Sequence, residues 1–555
     1  MNWMLRGLFW KMVLAAPPGD GRIRVMAERI YLFDTTLRDG AQTRGVDFSV
    51  DDKRAIARAL DDLGVDYVEG GWPGANPVDD AFFGTSPGLK NARFTAFGMT
   101  RRPDHSAAND PGINAILSTA ADSACMVGKT WDFHVDLALG IPREDNVTMI
   151  GESIAYAATR KDEVLFDAEH FFDGYKANPD YALACVKAAY DNGARWVVLC
   201  DTNGGMLPHD IRRIVTEVLA HIPGDRLGIH THDDTGNAVA NSLAAVEAGV
   251  RHVQGTLNGL GERCGNANLI TLIPNLMLKY EGAYETGIDE SELPKLTRVS
   301  RLLDELLNRA PDRHAAYVGE GAFTHKGGLH VSAVQKDPST YEHIDPEIVG
   351  NHRHIVVSDQ AGRSNILSRL TEAGIDVDAK DPRISRLVED VKDREFEGYT
   401  YDGAEASFEL LARRALGDLP KFYVMESFRS EVERRFNARG DITTISQAVV
   451  KMEIDGQATM QVAEGNGPVN ALDDAMRKAL LPKYPELEAM RLVDFKVRIL
   501  TPQQATAAVT RVMIESSDDT GHRWGTVGIS PNIIDAAYNA LDDAIIYKLL
   551  RARDA

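Results

Sequence analysis

The sequence predicts a closed (β/α)₈ barrel followed by a helical stretch and a C-terminal α+β module. Three observations carry this. Eight short apolar runs alternate with helix-like segments between residues 30 and 280. Strands alternating with helices imply a parallel sheet, and eight such units in about 250 residues imply closure. Polar, chemistry-bearing residues cluster where the apolar runs end, which is where barrel enzymes build their sites. No glycine-rich dinucleotide loop follows the first run, so an open doubly wound sheet has no support.

The runs, in order, are 31–36, 66–71, 93–99, 124–135, 163–171, 195–204, 227–234 and 252–262. Helices are expected between them at 49–64, 180–193 and 237–249. For the first, Ser49 stands three residues before Asp52 and Gly64 closes the segment, the signature of an N-cap and a stop. Residues 293–310 and 380–398 carry helical periodicity, and 319–353 is rich in Gly, His and turn formers. From about residue 420 five runs alternate in steps of two, as antiparallel strands do: 422–434, 445–455, 456–465, 492–500 and 510–517. Helices interrupt them at 469–481 and 533–550. NALDDAM (470–476) and NALDDAI (539–545) form a weak internal duplication, so the module reads as two similar halves. The expected domains are therefore an extension at 1–25, a barrel at 26–285, helical linker subdomains at 286–418 and a C-terminal module at 419–555.

Composition narrows the function. The chain has 555 residues, 44% of them hydrophobic and 26% charged, ordinary for a globular protein. Its net charge of −21 argues against general binding to nucleic acid or anionic membranes. Cys125, Cys185, Cys200 and Cys264 show no metal-type pairing and read as reduced residues of a cytoplasmic enzyme. Residues 1–25 hold a short apolar run broken by Arg6 and Lys11 and followed by Pro17 and Pro18. That run is too short to span a bilayer. A natural start at Met26 is expected, with a secretory signal as the alternative.

Three distant stretches point to one site: DTTLRDG (34–40), HTHDD (230–234) and NGLGERCGNANL (258–269). His230 and His232 are two residues apart, which in a strand puts both rings on one face. Two imidazoles with Asp39 and Asn266 make a divalent-metal site, and these N and O donors suit Zn, Mn, Mg or Co. Such an ion acts as a Lewis acid on a ketone. Asp233 and Asp234 either support the site or start the next helix. Arg38, beside Asp39, either holds a substrate carboxylate or forms a salt bridge within the barrel. Glu169 ends the fifth run with Asp167 on the same face, so one of these carboxylates is a candidate acid or base. Thr202 is a candidate contact for a substrate carboxylate. Glu69 and Lys129 lie on the same rim.

DTTLRDGAQT, HTHDD, GLGERCGNANL and FTHKGGLHVSAV together resemble the metal-dependent Claisen-condensing barrel family. It includes the 2-isopropylmalate, homocitrate and citramalate synthases. EGGWPGANPVDDAFF (69–83) and GKTWDFHV (128–135) most resemble the citramalate branch. The resemblance covers residues 30 to about 550 and excludes the first 25. It implies Asp39, His230, His232 and Asn266 as metal ligands, Arg38 and Thr202 as keto-acid contacts, and Glu169 as the catalytic carboxylate. It implies that His330, accompanied by Tyr341, enters the barrel of a partner subunit in a homodimer. It further implies acetyl-CoA and pyruvate as substrates, and a C-terminal domain that binds isoleucine as feedback effector. Asp167 stands where some relatives carry Tyr, and Ser332 where some carry Asp. Sister synthases using 2-oxoisovalerate or 2-oxoglutarate, a lyase on the same barrel, and an amino-acid sensor with an inactive barrel remain as alternatives.

Overall fold

The computed structural model describes residues 27–325, 328–355, 363–378, 380–401, 403–436, 439–501 and 507–554. The expected extension at 1–25 lies outside the described residues. The chain divides into two compact units, one reaching Ala322 and including Pro346–His352, the other comprising Phe323–Asp345 and Arg353–Ala555.

The first unit is the barrel. Its strands are β1 (Tyr31–Asp34), β2 (Tyr67–Glu69), β3 (Arg93–Met99), β4 (Ser123–Lys129), β5 (Glu163–Glu169), β6 (Trp196–Asp201), β7 (Leu227–Thr231) and β8 (His252–Gly255). They pair in parallel in sequence order, and β8 closes on β1 with Tyr31 opposite His252 and Asp34 opposite Gly255. Each of the eight runs read from the sequence contains one strand of this barrel. Helix α1 (Val50–Leu63) begins as expected: the Ser49 side chain accepts from the Asp52 backbone, Asp52 returns the bond, and Gly64 ends the helix in the left-handed region at φ 103°. Only glycine adopts that region cheaply.

The lower barrel is filled by rings. Phe33, Tyr67 and Trp196 are buried side by side. Trp196 donates its indole N–H to Tyr67 (3.0 Å), and Tyr67 donates to Glu163 (2.6 Å), so the buried polar tips are paired. Burying a tryptophan of some 200 Å² at ~25 cal/mol/Å² contributes roughly 5 kcal/mol as an upper value. This plug leaves the opposite, C-terminal mouth to the chemistry.

The second unit opens with a short parallel pair, Thr324–His325 against His354–Ile355, and continues through helices Arg363–Glu372, Pro382–Glu397 and Glu405–Leu416. Two antiparallel halves follow. One is β9 (Val424–Phe436), β10 (Ile442–Ile454) and β11 (Gln457–Gly465) with α2 (Pro468–Leu480). The other is β12 (Arg491–Ile499), β13 (Thr510–Ser517) and β14 (Arg523–Ser530) with α3 (Ile533–Asp554). The duplicated NALDDA segments are the corresponding helices of two βββα repeats. Strand β14 was absent from the sequence expectation, and two glycines explain why. A Cβ at Gly525 would lie 2.0 Å from the Gly403 carbonyl oxygen, and one at Gly528 2.1 Å from that of Ala536. Close packing of backbone requires glycine there, and glycine erases the β-former signal.

Candidate active site

After β1 the chain turns sharply. The backbone N–H groups of Arg38, Asp39 and Gly40 all converge on the Thr35 carbonyl (3.2, 2.9 and 3.0 Å). Asp34 braces the turn by accepting from the Thr36 backbone (2.9 Å) and hydroxyl (2.8 Å). Burial pushes the Asp34 carboxyl up to about 7. The turn delivers Arg38 and Asp39 to the C-terminal end of the barrel.

His230 is on β7, and His232 lies just beyond its end. Their Nε2 atoms are 3.4 Å apart. Asp39 Oδ2 is 3.4 Å from His230 Nε2 and 3.9 Å from His232 Nε2. All three residues are buried, and their donor atoms lie within 4.8 Å of one another. Asn266 is held opposite His232 by an isolated antiparallel bridge. Its carboxamide is buried, and among the described residues neither its oxygen nor its nitrogen has a hydrogen-bond partner. A Cβ at Gly261 would lie 2.5 Å from the Asn266 amide oxygen, so glycine there (φ 158°) leaves the amide its space. An orphaned buried amide beside three crowded donor atoms fits a bound cation, which satisfies groups that otherwise repel or go unpaired.

The electrostatics agree. Burial works against the Asp39 carboxylate, but Arg38 and then His230 outweigh it and hold it far below the usual carboxylate range. Burial, reinforced by His230, pushes His232 down to about 4, leaving a neutral ring ready to donate a lone pair. His230 is raised: burial opposes its protonation, and Asp39 overcomes that.

Arg38 is held from three sides. Its Nε donates to Glu69 Oε2 (2.8 Å), its Nη1 lies 3.3 Å from Asp39 Oδ2, and its guanidinium sits 4.0 Å over the Phe97 ring. Arg38 is therefore both beside the Asp39, His230 and His232 cluster and in a barrel salt bridge. Glu69 also accepts from the Thr35 hydroxyl (2.5 Å). Beneath, the buried Lys53 ammonium donates to the Leu37 and Gly70 carbonyls (2.9 Å each) and pairs with Asp79, tying the loops after β1 and β2 together.

The remaining candidates lie as follows. Glu169 ends β5 and pairs with Lys129 at the end of β4 (2.5 Å). The Thr202 hydroxyl accepts from the His170 backbone (2.8 Å). Asp233 accepts from the Ala238 backbone (2.8 Å) at the start of helix Ala238–Ala248, and Asp234 pairs with Arg263 (2.7 Å). His330 and Tyr341 belong to the second unit, where their rings stack 4.2 Å apart, with Tyr341 half exposed. Sequence reasoning gave Glu69 no role and missed Gln254 entirely. Glu69 is the acidic last residue of β2 and Gln254 a polar residue within β8, and that was the available signal.

Residues 29–300 match the HMGL-like family, 317–397 the homocitrate synthase post-HMGL domain-like family, and 402–549 the LeuA allosteric (dimerisation) domain. The (R)-citramalate synthase of Aquifex aeolicus is 48% identical over 95% of this chain and 99% of its own length. That of Geobacter sulfurreducens is 50% identical over 95% and 98%. That of Synechocystis sp. is 49% identical over 94% and 96%. The barrel and its mouth place the chain in the HMGL-like class of barrel enzymes, and the trailing module narrows this to enzymes with a LeuA-type C-terminal domain. Identity at this level over nearly the whole length shows that the chain belongs to the (R)-citramalate synthase family.

Proposed function

We propose that this enzyme condenses acetyl-CoA with pyruvate to give (R)-citramalate and free CoA, a metal-dependent acyl transfer on the pyruvate route to isoleucine. The observation that carries the reading is the convergence of Asp39, His230 and His232 with the orphaned Asn266 amide beside Arg38. Full-length similarity to the synthases named above supports the substrate pair.

A divalent ion held by Asp39, His230, His232 and Asn266 supplies Lewis-acid stabilisation of charge on the ketone oxygen. Zn, Mn, Mg and Co all suit the donors. Arg38, fixed by Glu69 and Phe97, directs its remaining N–H groups at the keto acid and stabilises the oxygen that becomes negative as the C–C bond forms. Thr202 contacts the substrate carboxylate. A base removes one methyl proton from acetyl-CoA, with Glu169 and His330 as the candidates. The resulting carbon nucleophile attacks C2 of pyruvate, and the former ketone oxygen takes up a proton. Water then cleaves the thioester, releasing CoA as the thiol and leaving the carboxylate of citramalate.

His330 and Tyr341 act in the barrel of a second copy, and the second unit dimerises and binds isoleucine. The LeuA dimerisation match and exposed apolar strand residues (Phe436, Met460, Ile499) support the dimer. The enzyme works in the cytoplasm. Among the described residues no helix is long and apolar enough to cross a membrane.

The test is CoA release from acetyl-CoA with pyruvate, 2-oxoisovalerate or 2-oxoglutarate, with and without EDTA. Pyruvate preference and EDTA sensitivity are expected. A preference for another keto acid reassigns the enzyme within its family, and activity in EDTA removes the metal from the mechanism.

A further inference from the structure

Gln254 on β8 is fully buried, and its side-chain amide lies between two groups from other strands. Its Nε2 donates to Asp167 Oδ1 on β5 (3.0 Å). Its Oε1 is 2.8 Å from His230 Nδ1 on β7. Asp167 is itself buried beneath the ligand cluster.

Hydrogen-bond bookkeeping then fixes the protons. An ionised carboxylate only accepts, so Asp167 requires the –NH₂ end of Gln254 to face it. The amide oxygen must therefore face His230. That oxygen also only accepts, so His230 Nδ1 must carry the ring proton. In the neutral ring His230 Nε2 then keeps its lone pair, 3.4 Å from both Asp39 Oδ2 and His232 Nε2. The reversed amide would set an N–H against Nδ1 and move the proton to Nε2, closing the lone pair needed for ligation.

We propose that Asp167 and Gln254 are positioning residues that lock His230 in the tautomer able to ligate a metal through Nε2. The proposal rests on His230 being a ligand of the ion. His232 shows no such lock, since its Nδ1 has no hydrogen-bond partner among the described residues. His230 is thus the ligand oriented in advance, and His232 is held by backbone placement alone. Partners that orient a ligating histidine typically change metal affinity about 10–100-fold when lost.

The experiment measures Mn²⁺ affinity of the full-length, metal-stripped enzyme by the electron paramagnetic resonance of free Mn²⁺, without substrate. Gln254→Met keeps the volume and removes the amide, and is expected to weaken Mn²⁺ binding about 10–100-fold. Asp167→Asn frees the amide to turn and is expected to weaken it less. The decisive variant combines Asp167→Asn with Gln254→Glu. The introduced amide donates to the introduced carboxylate, which again accepts from His230 Nδ1, and net charge is unchanged. Recovery to within about threefold of the unaltered enzyme is expected, because the tautomer is restored with the polarity of the relay reversed. A purely structural role would instead lower the melting temperature of Gln254→Met and leave its Mn²⁺ affinity unchanged. Unchanged Mn²⁺ affinity in Gln254→Met overturns the proposal, as does a folded double variant no better than Gln254→Met. If the double variant does not fold, ¹⁵N-histidine labelling of the unaltered enzyme, titrated until the His230 ring is neutral, decides the matter, and an Nε2–H tautomer there overturns it. Because every readout is metal affinity or tautomer, a failure of the citramalate assignment would show separately, as loss of pyruvate-dependent CoA release with Mn²⁺ binding intact.

Discussion

Replacing Arg38 by lysine keeps the charge and discards the geometry. The guanidinium reaches Glu69 through Nε at 2.8 Å, lies 3.3 Å from Asp39 through Nη1, and stacks over Phe97 at 4.0 Å. One ammonium cannot span Glu69 and Asp39 while also pointing a donor into the barrel mouth. The substitution therefore removes a preorganised donor from the oxygen that gains charge, a loss typically worth about 2.7–4 kcal/mol of transition-state stabilisation. At about 1.36 kcal/mol per decade this is a fall of roughly 10²–10³ in kcat/KM for pyruvate. Because the positive charge beside Asp39 persists, Mn²⁺ affinity is expected to change by no more than about threefold. The assay is thiol release from acetyl-CoA over a range of pyruvate concentrations, paired with Mn²⁺ titration of the same protein. A kcat/KM within about tenfold of the unaltered enzyme would refute the reasoning, since that is less than the loss of one such donor. An equal loss of Mn²⁺ affinity would refute it too, by showing that Arg38 acts through the ligands.

Metal affinity should fall with acidification, because protons compete for the imidazole lone pairs. Asp39 is held ionised and His232 is pushed down to about 4, so above pH 5 the competition comes from His230, whose raised pKa binds a proton more tightly when the ion is away. Mn²⁺ titrations should show affinity declining by up to about tenfold per pH unit below the His230 pKa, and rising affinity on acidification would contradict this. Mixing His330→Ala with Arg38→Ala protein should restore part of the activity that neither has alone, provided His330 serves a partner's barrel; no recovery in proven mixed dimers would place its action within one chain. Gly528→Val drives a side chain into the Ala536 carbonyl, which a Cβ would already approach to 2.1 Å. It should lower the melting temperature of the C-terminal unit and, with isoleucine as the proposed effector, abolish its inhibition while Mn²⁺ binding persists, with calorimetry and inhibition curves as the checks.

Much of the barrel was legible because its signal is local. Each strand is an apolar run, and α1 announces itself through Ser49, Asp52 and Gly64. The rim residues were legible because chemistry gathers where strands end, and HxH spacing brought two rings to one side. What escaped depends on closure. Gln254 meets His230 from the neighbouring strand and Asp167 from across the barrel, and no sequence spacing encodes either meeting. Glu69 grips Arg38 from 31 residues away for the same reason. Strand β14 escaped because Gly525 and Gly528 were selected for close backbone approach, which removed the β-branched pattern that marks its neighbours.

The proposed ion lies between β1, β7 and the loop after β8. X-ray absorption at the zinc edge of enzyme loaded with one equivalent of Zn²⁺ tests this most directly. Two imidazoles and otherwise oxygen donors are predicted, with one imidazole lost in His232→Ala. A sulfur scatterer at about 2.3 Å, or an unchanged spectrum in His232→Ala, would contradict it.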